Sequence, residues 1–239
     1  MLNKTYTLPT SDIPEVTQTM YGYSLSMSQD GTRVVVAAPA SVWSSYSLSQ
    51  YEPYEKVFIY DYDQDSDEYK TSLILSSPGV KHSWFGSCVK INSKNKDWIA
   101  IGAPGRNNQD GKVYIYKRGD ANNKWNLWQT ISNPDPGYST WMFKFGMWFD
   151  FVGDYLLIGV ANRARLSGKC SYLYKLEGNT WKFHYATTRS LVPAGTYRGV
   201  VNMYGSPFVG ISDDNYMVTA GDTSKTDGNK AIDIWKIKE

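Results

Sequence analysis

The clearest signal of the fold lies between residues 84 and 116. It reads Trp84-Phe85-Gly86-Ser87, then Trp98-Ile99-Ala100-Ile101-Gly102-Ala103-Pro104, and then Gly111-Lys112-Val113-Tyr114-Ile115-Tyr116. An aromatic-Gly pair, a short apolar run that ends in Gly-Ala-Pro, and an alternating β-branched and aromatic run are typical of β-strands bounded by turns. This order of signals predicts a small antiparallel sheet.

The same order of signals occurs four times, which predicts a repeat protein. The units begin at Tyr21-Gly22, Phe85-Gly86, Phe145-Gly146 and Tyr204-Gly205, and they span about 21–77, 85–132, 145–188 and 204–239. Each of the first three units contains four strand signals, whereas the fourth contains three. The last sheet is therefore expected to be one strand short.

The segment 4–10 alternates like a strand and belongs to no unit at its own end of the chain. It would fill the vacant outer position of the last unit, and closing the array into a ring removes its exposed sheet edges. The sequence therefore predicts an all-β fold, a four-bladed β-propeller of four-stranded antiparallel blades in a single domain over 1–239. The last blade is closed by the N-terminal strand, and the alternative is that copies assemble to complete a larger ring.

The repeated motif resembles the FG-GAP repeat, the blade unit of integrin α-subunit heads and of related bacterial and viral proteins. The resemblance is strongest in the second unit, with Phe85-Gly86 and Gly102-Ala103-Pro104, and weaker in the third and fourth. Family members often carry an Asp-x-Asp-x-Asp-Gly calcium loop between the first two strands of a blade, and none of the four turns here has that pattern. The resemblance thus implies a scaffold, without calcium-dependent adhesion.

No cofactor and no metal site are predicted from the remaining residues. The acidic run Asp61–Glu68 alternates like a metal loop, but it has no Gly at its bend and no bidentate Glu at the twelfth loop position. We interpret this acidic run as a solvated turn, and the alternative is a weak calcium site. Cys88 and Cys170 are far apart and are expected to be buried thiols rather than ligands.

Composition excludes some partners. The chain has 25 Lys and Arg against 23 Asp and Glu, and this near balance argues against nucleic acid as a partner. No stretch approaches the roughly 20 apolar residues of a membrane span, so membrane insertion is not expected. No secretory signal is recognised at the N-terminus, which favours synthesis in the cytoplasm with release by cell lysis, as for a protein incorporated in a virion.

Catalytic motifs are absent from the sequence. The two histidines, His82 and His184, lie in different units without a nearby nucleophile motif, so no catalytic residue is predicted. Carboxylates from different blades that meet in a central channel are the enzymatic alternative.

Binding is the preferred interpretation because long polar and aromatic loops fall on one face of the predicted propeller. The contact-loop candidates are Trp43, Tyr46, Tyr51, Tyr54, Arg106, Asn107, Asn108, Arg163, Arg165 and Lys225. The predicted function is a non-catalytic binding module of a larger assembly, such as a decoration, tail or attachment protein of a phage or virus particle. Its predicted partners are other protein chains, a glycan or further copies of itself, and the alternative is a carbohydrate-active hydrolase or lyase.

Overall fold

The computed structural model describes residues 4–11, 20–39, 55–79, 83–105, 111–119, 124–134, 145–160, 169–188, 209–221 and 231–237. Fifteen strands in these ranges form four antiparallel sheets, called blades 1 to 4, in each of which the strands follow chain order. No helix that could span a membrane is found in the described ranges.

The strands of each blade are given from the first to the last. Blade 1 consists of β1 (Ser24–Met27), β2 (Arg33–Ala38), β3 (Lys56–Asp63) and β4 (Glu68–Ser76). Blade 2 consists of β5 (Val89–Ile91), β6 (Trp98–Ala103), β7 (Lys112–Arg118) and β8 (Trp125–Ser132). Blade 3 consists of β9 (Trp148–Val152), β10 (Tyr155–Gly159), β11 (Lys169–Glu177) and β12 (Thr180–Thr188), and blade 4 of β13 (Val209–Ile211), β14 (Tyr216–Gly221) and β15 (Ala231–Lys236).

The blades pack face to face in chain order. The second strands β2, β6 and β10 are buried along their whole length, as their continuous apolar sequences require for a strand covered on both faces. Three apolar clusters fill the spaces between blades 1 and 2, blades 2 and 3, and blades 3 and 4. The fold is therefore all-β and β-propeller-like, with four antiparallel sheets in the described ranges.

A shared irregularity shows that the blades are true repeats. The pairing of the third and fourth strands shifts after Ile59 in blade 1, after Ile115 in blade 2 and after Leu173 in blade 3. These three residues occupy the same position of their sheets, since each pairs with the middle of a second strand. A bulge increases the local twist of a strand pair, so the three blades twist in the same way.

The glycines of the repeated motif lie at the junctions between blades. Gly86 and Gly146 adopt φ angles of +94° and +87°, which side-chain-bearing residues rarely adopt. A Cβ on Gly86 would lie 2.9 Å from the Cβ of Ala37 in blade 1, and a Cβ on Gly102 would lie 1.8 Å from the carbonyl oxygen of Gly146 in blade 3. The motif therefore allows one blade to approach the next closely.

The N-terminal segment lies against blade 1, and no strand is assigned to residues 4–10. Leu8 packs on the apolar cluster of the outer part of that blade, and the Tyr60 hydroxyl donates to the carbonyl oxygen of Pro9 at 3.3 Å. Lys4 and Tyr6 both donate to the carboxylate of Asp67 in the β3–β4 turn. Blade 4 has three strands, as predicted, but its closure by the N-terminal segment is not confirmed.

Candidate functional site

The first strands of the blades bring one polar position of each repeat together near the axis of the array. Strands β1, β5, β9 and β13 pack against one another in order. Ser26, Lys90, Asp150 and Gly210 are the middle or third residues of these strands, and each pairs with the equivalent residue of its second strand. We call these four residues the axial row. Ser26, Lys90 and Asp150 each contact the first strand of the next blade in chain order.

The axial row links successive blades through the open edges of their first strands. The Ser26 hydroxyl accepts a hydrogen bond from the backbone N–H of Ile91 at 3.0 Å. The Lys90 ammonium lies 3.3 Å from the Asp150 Oδ1 atom, and the Asp150 Oδ2 atom accepts from the backbone N–H of Ile211 at 2.9 Å. A side chain of the axial row thus accepts a backbone N–H at two junctions, and a charged pair joins the blades at the middle one.

Asp150 is held in a fixed orientation while it stays open to solvent. Its Oδ1 atom also accepts from the backbone N–H of Phe151 at 3.1 Å, so two main-chain donors and one ammonium fix the carboxylate. The side chain of Asp150 is 21% exposed and that of Lys90 is 41% exposed. The exposed ammonium of Lys90 can bind an anionic group, and the fixed carboxylate of Asp150 can accept a proton from an atom close to that group.

The end of the array next to the axial row is rigid. Asn92 donates from Nδ2 to the carbonyl oxygen of Gly153 at 2.6 Å and accepts from the Gly153 N–H at 3.0 Å. The Lys94 ammonium donates to the carbonyl oxygen of Asp213 at 2.9 Å, and so joins the turns of blades 2 and 4. These contacts fix the relative positions of the first strands, and hence the geometry of Lys90 and Asp150.

Two carboxylates of the acidic run Asp61–Glu68 pair with lysines, and Asp61 pairs with Arg33. Asp61 to Asp63 end β3 and Glu68 begins β4, so the run forms the hairpin turn and its flanks. Lys70 pairs with Asp63, and hydrogen bonds to Asp67 from Lys4, Tyr62 and Tyr6 lower the pKa of that carboxyl to about 2. Within the described ranges, no group of three or more His, Cys, Asp or Glu side chains is placed to hold a metal ion.

Two buried groups have structural roles. Glu55 accepts from the Ser83 hydroxyl at 2.8 Å and from the Trp84 N–H at 2.9 Å, so it fixes the turn that precedes Gly86. Burial raises the pKa of the Cys88 thiol to about 11, which keeps it protonated and unreactive. His184 is exposed on the outer strand β12, away from the axial row.

The sequence-predicted contact residues fall outside the described ranges. This holds for Trp43, Tyr46, Tyr51, Tyr54, Arg106, Asn107, Asn108, Arg163, Arg165 and Lys225, and also for His82. The sequence reasoning missed the axial row, although a signal for it exists: Ser26, Lys90 and Asp150 each lie four residues after the motif glycine of their unit.

Comparisons with known proteins describe the fold. No family model and no curated protein sequence matches the chain. Among solved structures, the chain is similar to a periplasmic gluconolactonase of Pseudomonas aeruginosa (16% identity, 90% of this chain and 57% of that one covered, TM-score 0.44). It is also similar to an α-L-arabinanase of Penicillium chrysogenum (11%, 96% and 64%, 0.46) and to an oligogalacturonate lyase (10%, 90% and 54%, 0.46). The chain spans about half the length of the lactonase and the lyase.

The predicted non-catalytic role is corrected by this comparison. The solved structures of similar fold include a lactonase, a lyase and glycosidases, so neither the assembly component of a virus particle nor the absence of enzymatic activity is retained. At these identities and TM-scores the likeness describes the fold alone and transfers no activity. Motifs within single stretches of sequence give no information on Lys90 and Asp150, which strands about 60 residues apart bring together.

Proposed function

We propose that the chain is a carbohydrate-active lyase that acts on acidic sugars at the axial row. The observation that carries the proposal is the pair of Lys90 and Asp150, which two neighbouring first strands hold 3.3 Å apart in a solvent-accessible position. Lys90 binds the carboxylate of a uronic acid unit, and Asp150 is the general base. Both residues touch the substrate in this proposal.

The reaction is a β-elimination. Asp150 takes the proton from the carbon next to the sugar carboxylate, and the electron pair forms a double bond to the neighbouring carbon. The glycosidic bond at that carbon breaks, and its oxygen leaves with a proton from water. The ammonium of Lys90 stabilises the negative charge that develops on the substrate carboxylate during proton removal.

A lyase agrees better with the axial row than a hydrolase does. Glycosidases of the common two-carboxylate type need a second acid about 5 to 10 Å from the first. In the described part of the axial row Asp150 is the single carboxylate, and its neighbours in the row are Lys90, Ser26 and Gly210. One base beside one cation is sufficient for elimination from an acidic sugar.

The proposal is tested with oligogalacturonate, which carries a carboxylate on every sugar unit. Ultraviolet absorbance of the unsaturated product should rise with the full chain, and Asp150→Asn and Lys90→Met should each lower kcat/KM by about 100-fold or more, the range typical of general-base loss. Asn keeps an oxygen for the N–H of Ile211, so the strand contact is retained. Near-ultraviolet circular dichroism checks the fold of each variant.

Lys182→Met is the matched control, because Lys182 is an exposed lysine of the outer strand β12 that pairs with Glu177, away from the axial row. Its activity should stay within about threefold of the unaltered chain. Neutral arabinan serves as a second substrate. Absence of turnover of oligogalacturonate, turnover of the neutral arabinan, or equal activity of Asp150→Asn and the unaltered chain would contradict the proposal.

We also retain the FG-GAP character of the repeats and the count of four blades as proposals. The positive φ angles of Gly22, Gly86 and Gly146 support them, because the motif glycine has the same backbone conformation in three units. Structures of the chain at high resolution that include the segments between blades test both.

A further inference from the structure

Each blade presents two faces, and blades 2 and 3 have both faces covered by the apolar clusters of the junctions. The forward face looks towards the next blade in chain order, and the backward face looks towards the preceding one. Five residues on the backward faces of first strands are buried against the preceding blade: Val89, Ile91, Phe149, Phe151 and Ile211.

Blade 1 has the same positions without a preceding blade. Leu25 is equivalent to Val89, and Met27 is equivalent to Ile91, by their register with the second strand. Leu25 is 66% exposed and Met27 is 56% exposed. These two side chains are the backward half of a blade junction whose other half is missing.

The forward face of blade 4 is exposed, as the backward face of blade 1 is. The forward positions in the middle of the second and third strands are fully or almost fully buried in the other blades: Val35, Ile59, Ala100, Ile115, Leu157 and Leu173. Their equivalents in blade 4 are Val218 and Ile234, which are 37% and 72% exposed. Tyr216 on the same face is also exposed.

The two exposed faces are the two halves of one junction that the chain builds three times. Strand packing in the described ranges joins blade 1 to 2, 2 to 3 and 3 to 4, and does not join blade 4 to blade 1. Within the described ranges, the two end faces therefore do not cover each other. A second copy of the chain has the same two exposed faces, and can therefore cover both ends of the first copy.

We propose that two copies of the chain associate head to tail, with the forward face of blade 4 of one copy packed against the backward face of blade 1 of the other. The contact buries Leu25 and Met27 against Val218 and Ile234, as the three internal junctions bury their equivalents. When both ends pair, two copies form a closed ring with a complete central channel; an unclosed arrangement would continue as a filament.

The N-terminal segment limits this contact to the part of the face near the axis. Leu8 and Tyr21 pack on the outer apolar cluster of blade 1, formed around Phe58 and Tyr60. Leu25 and Met27 lie on the first strand, beyond this cover. The N-terminal segment thus covers the part of the backward face around Phe58 and Tyr60, and the first strand of blade 1 stays free to contact the second copy.

Sedimentation velocity of the full 239-residue chain over a range of concentrations tests the proposal. The unaltered chain should form dimers, and Met27→Asp or Ile234→Asp should each raise the dissociation constant by about tenfold or more, because a charge is buried in an apolar contact. Leu127→Asp is the matched control, since Leu127 is an exposed apolar residue of the outer strand β8, away from both end faces.

Mixing the two variants distinguishes head-to-tail pairing from other contacts. Met27→Asp has a damaged blade 1 face and Ile234→Asp a damaged blade 4 face, so an equimolar mixture retains one intact junction and should form heterodimers that neither variant forms alone. Circular dichroism establishes that each variant is folded.

Three results would overturn the proposal: a monomeric unaltered chain at all concentrations, a Leu127→Asp variant as defective as the end-face variants, or a mixture that stays monomeric. A disulfide that forms within one chain between Met27→Cys and Ile234→Cys would show ring closure inside the monomer and would also overturn it. None of these measurements depends on the carbohydrate substrate, so the two proposals fail separately.

Discussion

Gly102→Ala should separate blades 2 and 3. The φ angle of Gly102 is not in the left-handed region, so alanine causes no backbone strain of its own. Its Cβ would however lie 1.8 Å from the carbonyl oxygen of Gly146 and 3.0 Å from a ring carbon of Phe149. Because Cβ contacts below 3.0 Å are essentially never seen, the two blades must move apart by about 1.2 Å at this point.

The structure offers little room for this movement. The turn that contains Gly146 is also enclosed by Gly111, whose Cβ position lies 2.1 Å from the carbonyl oxygen of Phe145. Phe145 is fully buried in the cluster between the two blades. We therefore expect a loss at the upper end of the overpacking range, about 3 kcal/mol in the free energy of unfolding. For a chain of this size that corresponds to a fall in Tm of about 6 to 12 °C.

Urea unfolding followed by tryptophan fluorescence measures this loss, since the chain has nine tryptophans. Gly178→Ala is the control: its φ angle is +61° and no atom lies within 4 Å of the added Cβ, so only the left-handed backbone cost of about 1 to 2 kcal/mol applies. If Gly102→Ala is as stable as Gly178→Ala or more stable, then Gly102 is not required for the close contact between blades 2 and 3.

Three further predictions concern charged and buried groups. Arg33→Met should lower the free energy of unfolding by about 2 kcal/mol, because the buried guanidinium pairs with Asp61 while that carboxylate keeps some solvent access. Urea unfolding measures this loss, and a value below about 0.5 kcal/mol would contradict the prediction. The lowered pKa of Asp67 means that its ionised form stabilises the fold above about pH 4 and that this contribution is lost as the pH falls towards 2. Asp67→Asn should therefore weaken the acid dependence of Tm between these values, and an unchanged profile speaks against the contacts of that carboxylate. The Cys88 thiol, with a pKa raised to about 11, should resist a thiol reagent at pH 8 until the chain unfolds; in a Cys170→Ser variant, fast labelling of the native protein would disagree with its burial.

Much of the fold could be predicted because its signals are local. Strand alternation, the turn residues and the spacing of the aromatic-Gly motif indicate four sheets, and the fourth sheet has three strands as expected. The positive φ angles of Gly86 and Gly146 follow from the same motif. These features depend on neighbouring residues in the chain, and a single sequence contains that information.

The candidate site could not be predicted in the same way. Lys90 and Asp150 are ordinary polar residues of alternating strands, and only the packing of β5 against β9 places them 3.3 Å apart. The predicted binding residues were chosen from loop composition, which describes exposure but gives no distance between side chains.

The two ends of the array depend on the packing of whole sheets more than any other feature of the fold. By alternation alone, residues 4–10 could pair with the edge of blade 4, but in the fold Leu8 and Pro9 lie against blade 1. Likewise, strand alternation identifies Met27 and Ile234 as apolar strand residues, like their buried equivalents in other blades. Which of these side chains remain exposed depends on how far four blades turn around the axis, and that angle is set by the packing of whole sheets, not by any local stretch of sequence.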